Sequence, residues 1–115
     1  MFWWPWSSEK KLIMENDVCR LYEDRWWYII EDKVFSKLPV EYASETKTLV
    51  NIRIEFAILG DGYPVRVRAY YPKSEFQYDS FKVILQAFES WSDWTRKKIK
   101  EFEAFKEYLE GGGGV

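Results

Sequence analysis

The chain has 115 residues, a net charge of −2 and an aromatic content of 20%. That length fits one domain able to bury a core without disulfides or metals, and that composition excludes intrinsic disorder outside the tail. One cysteine, Cys19, excludes an intrachain disulfide, and no apolar run reaches the roughly eighteen residues of a spanning helix.

The first residues, MFWWPW, place Trp3, Trp4 and Trp6 beside Pro5. Six residues are too few to cross a bilayer, and no basic amphipathic helix flanks them. The expectation is that these rings fold over a sheet edge or onto a neighbouring subunit. No basic, apolar and small-residue leader precedes them, so the expected location is cytoplasmic, with no integral membrane association.

KLIMEN, VCRLY and RWWYIIE alternate as three short strands, with turns near Asn16-Asp17 and Glu23-Asp24. Leu12, Ile13 and the Met14, Val18, Leu21, Tyr22 set also suit a helix opened by Ser7 or Ser8. Strands are the expected outcome. From Ser36 to Thr46 the pieces SKLP and EYASET read as a loop.

Asp61-Gly62, between two alternating runs, predicts a hairpin with a two-residue type I′ turn. Counting from that turn pairs Gly60 with Tyr63, Ile58 with Val65, Phe56 with Val67, Ile54 with Ala69 and Ile52 with Tyr71. One face of the hairpin is then apolar, and the other carries Arg53, Glu55, Arg66, Arg68 and Tyr70.

From Asp79 to Glu110 the residues Phe81, Ile84, Leu85, Phe88, Trp91, Ile99, Phe102 and Leu109 form one stripe at helical spacing, interrupted only by Thr95. This predicts a single long helix that overhangs the sheet. Val83, Ala87, Trp94 and Phe105 lie to one side of the stripe and widen it beyond what one sheet covers. GGGGV, residues 111–115, is a helix stop and a flexible tail. Residues 1–110 are therefore expected to form a single α+β domain: an antiparallel sheet of four to five strands with one long C-terminal helix packed on one face.

Without histidine the common catalytic triads and most zinc sites are missing, so no catalytic residue, metal or cofactor is expected. The Glu45/Lys47 spacing of a metal-dependent nuclease recurs at Glu9/Lys11 and Glu31/Lys33, which removes its specificity. Abundant Lys, Glu and Arg with scarce Asn, Gln and Cys matches a hyperthermophile or its virus.

Two contact surfaces follow. The first is a self-association or protein-binding surface made by Trp3, Trp4, Trp6, Val83, Ala87, Trp94 and Phe105, which makes a non-enzymatic interaction protein the leading reading. The alternative is single-stranded nucleic-acid binding through Arg53, Arg66, Arg68 and Tyr70, with guanidinium groups on phosphates and a ring on a base. A small enzyme working through carboxylates ranks third.

Overall fold

The computed structural model describes residues 10–47, 51–60, 62–75 and 80–110, without the side chains of Lys47, Ser80 and residues 104–110. Trp3, Trp4, Trp6, the Phe105 side chain and the 111–115 tail therefore lie outside the described residues.

Six strands form one antiparallel sheet: β1 (Lys11–Glu15), β2 (Cys19–Glu23), β3 (Trp27–Asp32), β4 (Tyr42–Lys47), β5 (Asn51–Ile58) and β6 (Pro64–Pro72). Their spatial order is β1-β2-β3-β6-β5-β4. Each half is a meander, and the chain crosses to the far edge after β3 so that β6 returns beside it. One helix, α1 (Ser80–Glu110), follows and is about 46 Å long at 1.5 Å per residue.

The first meander is punctuated at Asn16, Asp24 and Asp32. Asn16 Oδ1 accepts from the amides of Val18 (2.9 Å) and Cys19 (2.8 Å). Asp24 Oδ1 does the same for Trp26 and Trp27, both at 2.8 Å, and Asp32 Oδ1 for Val34 (2.6 Å) and Phe35 (2.7 Å). An acceptor side chain that binds amides two and three residues on closes the chain locally, so each strand ends where such a residue stands.

The sheet has six strands, not four or five, because EYASET is an edge strand and not a loop. It pairs with β5 from Tyr42↔Phe56 to Lys47↔Asn51 without a register shift. Tyr42, Ala43, Ser44 and Glu45 are all exposed, so neither face of β4 imposes the apolar alternation that marks a half-buried strand. The stacked rings of Tyr42 and Phe56, 4.7 Å apart, anchor it.

The β5–β6 hairpin departs from the expected register in its upper half. Leu59 N–H donates to Tyr63 O and Gly62 N–H to Leu59 O, both at 2.8 Å, so the loop holds three residues instead of two. Gly62 sits at φ +89°, the left-handed position such a loop requires. Phe56 consequently faces Arg66, Ala57 faces Val65 and Ile58 faces Pro64. A bulge between Glu55 and Phe56 then leaves Val67 as an extra residue in β6, and below it Glu55↔Arg68, Ile54↔Ala69 and Arg53↔Tyr70 pair as the sequence predicts.

Helix α1 crosses the sheet over β2 and β3. Ile84, Phe88 and Trp91 are buried against Cys19, Leu21, Ile30, Ala69 and Tyr71. Phe81 and Phe102, nearer the two ends of the stripe, are 44% and 41% exposed, the overhang expected of so long a helix. Thr95 lies on the buried stripe because its hydroxyl meets the Cys19 thiol at 3.7 Å in the core. A second cluster, Phe35, Ala57, Val65 and Val67, forms beside Leu59, Trp94 and Ile99.

One ionisable group is sealed into this layer. Asp32 has no solvent exposure, and its Oδ2 has no hydrogen-bond partner among the described residues. Burial pushes its carboxyl above the ordinary value of 3.8, against the opposing pull of the Phe35 and Val34 amides and the nearby Thr95 hydroxyl. Between pH 4 and that raised value the folded chain holds a proton that the unfolded chain has released, so stability falls as pH rises through this window and is fully present below it.

Two predictions follow from the turn and the buried acid. In urea unfolding, Gly62→Ala should lower stability by about 1 kcal/mol, since no atom lies within 4 Å of the added Cβ and only the positive φ opposes it. Gly60→Ala, in open space and without a positive φ, should change it by less than about 0.5 kcal/mol. Asp32→Asn keeps an oxygen for the two amides and cannot ionise, so its stability relative to the parent should increase as pH is raised above 4 and level off once the folded Asp32 has ionised. A difference that does not change above pH 4 would show that Asp32 carries no burial penalty.

Candidate functional site

The sheet face away from the helix carries a row of alternating charges, one residue per strand. Glu15 of β1 lies opposite Arg20 of β2, which lies opposite Glu31 of β3, then Arg68 of β6 and Glu55 of β5. The ion-pair distances along this row are 3.4, 3.8, 3.6 and 3.0 Å. Its central side chains, Glu31, Arg68 and Glu55, are only 13–19% exposed. Arg68 is held between two carboxylates.

Tyr70 and Arg53 join the same network. The Tyr70 hydroxyl donates to Glu55 at 3.0 Å, and burial together with that carboxylate pushes it up to about 12. The Tyr70 ring meets Trp27 edge-on at 5.9 Å and carries the Arg53 guanidinium 6.0 Å above its centre. Arg53 also reaches Glu55 at 3.8 Å, but its side chain remains 51% exposed. This face brings together Arg53, Arg68 and Tyr70 with as many carboxylates as guanidinium groups.

Arg66 is not part of it. The shifted upper register and the bulge turn Arg66 toward α1, where its guanidinium carbon lies 4.2 Å from the Trp91 ring centre and 3.9 Å from that of Trp94. Trp91 is itself fixed by donating its indole N–H to the Tyr71 hydroxyl at 3.0 Å. Arg20, Arg53, Arg68 and Arg96 each meet a carboxylate. No described carboxylate pairs with Arg66, and its Nε is buried without a hydrogen-bond partner. Cation–π contact with two rings contributes about 0.5–2 kcal/mol each, whereas leaving a charged donor buried and unpaired costs more than the 1–3 kcal/mol of a neutral group. The rings offset part of that cost, and burial pulls the Arg66 pKa down.

The helix flank singled out from the sequence lies on this same side. Ala87 packs on the first core cluster and Trp94 on the second, while Val83 is 42% exposed. Beyond them the helix-side surface of β5 and β4 carries half-buried Ile52, Ile54 and Phe56, and Tyr42 at 44% exposure. Sequence reasoning missed that Trp91 and Trp94, three residues apart, face an arginine-bearing strand. The three-residue spacing of the two indoles was the available signal.

A separate cavity of about 290 Å³ opens at the hairpin tip, lined by Phe35, Leu59, Tyr63, Val65, Lys98, Glu101 and Phe102. Lys98 donates there to the Tyr63 hydroxyl (2.7 Å) and to Glu101 (3.0 Å). Among its described lining residues Glu101 is the only acid. The Cys19 thiol is buried and pushed upward by burial, which leaves it a poor nucleophile. Among the described residues no cluster of three or more His, Cys, Asp or Glu is arranged to hold a metal, and no helix is long and apolar enough to cross a membrane.

No protein-family model, no curated protein and no solved structure matches this chain.

Proposed function

We propose that this chain is a non-enzymatic interaction protein that associates with a second copy of itself through the half of the helix-side surface that α1 leaves open. The observation that carries this reading is the set of apolar side chains Val83 on the helix and Ile54, Phe56 and Tyr42 on β5 and β4, which are exposed or half-buried among the described residues. Contiguous apolar surface of this kind on a sheet and helix flank is what a partner chain covers. The regular, unbulged β4 edge beside it adds unpaired backbone groups to the same surface. Trp3, Trp4, Trp6 and Phe105 extend this reading as candidate interface residues.

The nucleic-acid reading has less to rest on. With Arg66 facing the helix and Arg68 between Glu31 and Glu55, Arg53 and Tyr70 would have to supply both the phosphate contact and the stacking.

Light scattering on a size-exclusion column at about 1–100 µM protein tests the proposal. The parent should run as a dimer or larger, and Val83→Glu combined with Tyr42→Ser should weaken association at least about tenfold while leaving the circular dichroism spectrum unchanged. A strict monomer throughout that range would overturn the reading.

A further inference from the structure

We infer that Arg66, lodged in the angle between the tilted rings of Trp91 and Trp94, is the anchor of a binding site for a monoanionic carboxylate with an apolar or aromatic body. This site shares Ile54, Phe56 and Tyr42 with the self-association surface proposed above but does not rest on that reading.

Three observations carry it. Arg66 is a partly buried guanidinium with no carboxylate partner among the described residues and with a buried, unpartnered Nε. The other described strand arginines, Arg20, Arg53 and Arg68, each meet a carboxylate, and Arg66 does not. Local violations of that kind mark functional positions more often than they mark defects.

The second observation is the orientation of the group. Indole rings 4.2 and 3.9 Å from the guanidinium carbon occupy its neighbourhood on the helix side. Trp91 is fixed in turn by Tyr71. The two rings, tilted 56° to each other, fix the position of the guanidinium carbon, and a planar fork of N–H groups matches the two oxygens of a carboxylate. Because the rings already restrain Arg66, little further side-chain freedom is lost when a ligand arrives.

The third is the surroundings. Phe56 stands directly across the strand from Arg66, Tyr42 is stacked on Phe56, and half-buried Ile54 lies two residues further along β5. A ligand whose oxyanion meets Arg66 therefore lays the rest of itself on rings and aliphatic carbon. One guanidinium compensates one negative charge, and among the described residues the only other cation over these two indoles is Lys98, 5.7 Å from Trp94 and already donating to Tyr63 and Glu101. A doubly charged phosphate monoester would keep one charge unmatched, so a carboxylate is the better fit.

The experiment is a titration of the full chain with phenylacetate at constant ionic strength, read by tryptophan fluorescence and by the Nε–H resonance that Arg66→Lys removes. A saturable shift of that resonance is expected. The neutral isostere 2-phenylethanol should bind at least about tenfold more weakly, Arg66→Met should lose about ten- to a hundredfold in affinity, and Arg66→Lys, which keeps the charge but not the fork, should fall between. The assignment is overturned if no saturable shift appears up to about 10 mM, or if Arg66→Met binds as tightly as the parent. Tighter binding of phenyl phosphate than of phenylacetate overturns the carboxylate class. Should Arg66→Met fail to fold, the parent's Nε–H response and the Lys variant decide the matter. The titration is repeated on Val83→Glu, which weakens association without altering Arg66 or the two indoles, so a failed titration leaves the oligomer reading to its own test.

Discussion

A one-residue disagreement inside the β5–β6 hairpin organises the whole molecule. The Gly60–Gly62 loop closes on Leu59 and Tyr63, which sets one register, while the lower strands hold another in which Glu55 meets Arg68 and Ile54 meets Ala69. A strand pair cannot satisfy both without an extra residue, and the bulge at Val67 supplies it. Above the bulge Arg66 changes sides. The tryptophans at positions 91 and 94 then have a cation to cover, and α1 is fixed against β6 through Trp91 and Tyr71.

The two faces of the sheet answer the charge problem differently. Away from the helix, charge is balanced laterally, with neighbouring strands from β1 to β5 contributing opposite signs, and Glu31, Arg68 and Glu55 pair at low exposure. Isolated surface pairs contribute little, but a row in which each carboxylate is shared by two cations holds its geometry with less loss of side-chain freedom per contact. Beneath the helix such lateral balance is missing. Arg66 is compensated by ring faces, and Asp32 by two backbone amides on one oxygen, with no hydrogen bond to the other among the described residues.

How much of this the sequence discloses depends on whether a residue's environment repeats. The helix stripe was legible because 3.6-residue periodicity survives Thr95, and the meander because its Asn and Asp residues recur where strands end. β4 was hidden, since a strand solvated on both faces writes no pattern. Arg66 was hidden for a different reason: glycines on both sides of Asp61 suit a two- or a three-residue loop equally well, and the choice between them moves every residue above the bulge by one position. Of the candidate residues, Arg53, Arg68 and Tyr70 were placed on the correct face and Arg66 on the wrong one.

The spacing of Asn16, Asp24 and Asp32 bears on how the chain reaches this arrangement. Each closes a short loop, so β1, β2 and β3 can pair in sequence as soon as they collapse, whereas β6 must find β3 across the whole of β4 and β5. Loop closure over that distance is entropically slower, which makes the docking of the two meanders the late step in folding. Until it occurs, the β3 edge with Trp27, Ile29 and Glu31 is an open template. The alternating charges of Arg20, Glu31 and Arg68 then act before the native state exists, since only a strand carrying a positive residue opposite Glu31 completes the row.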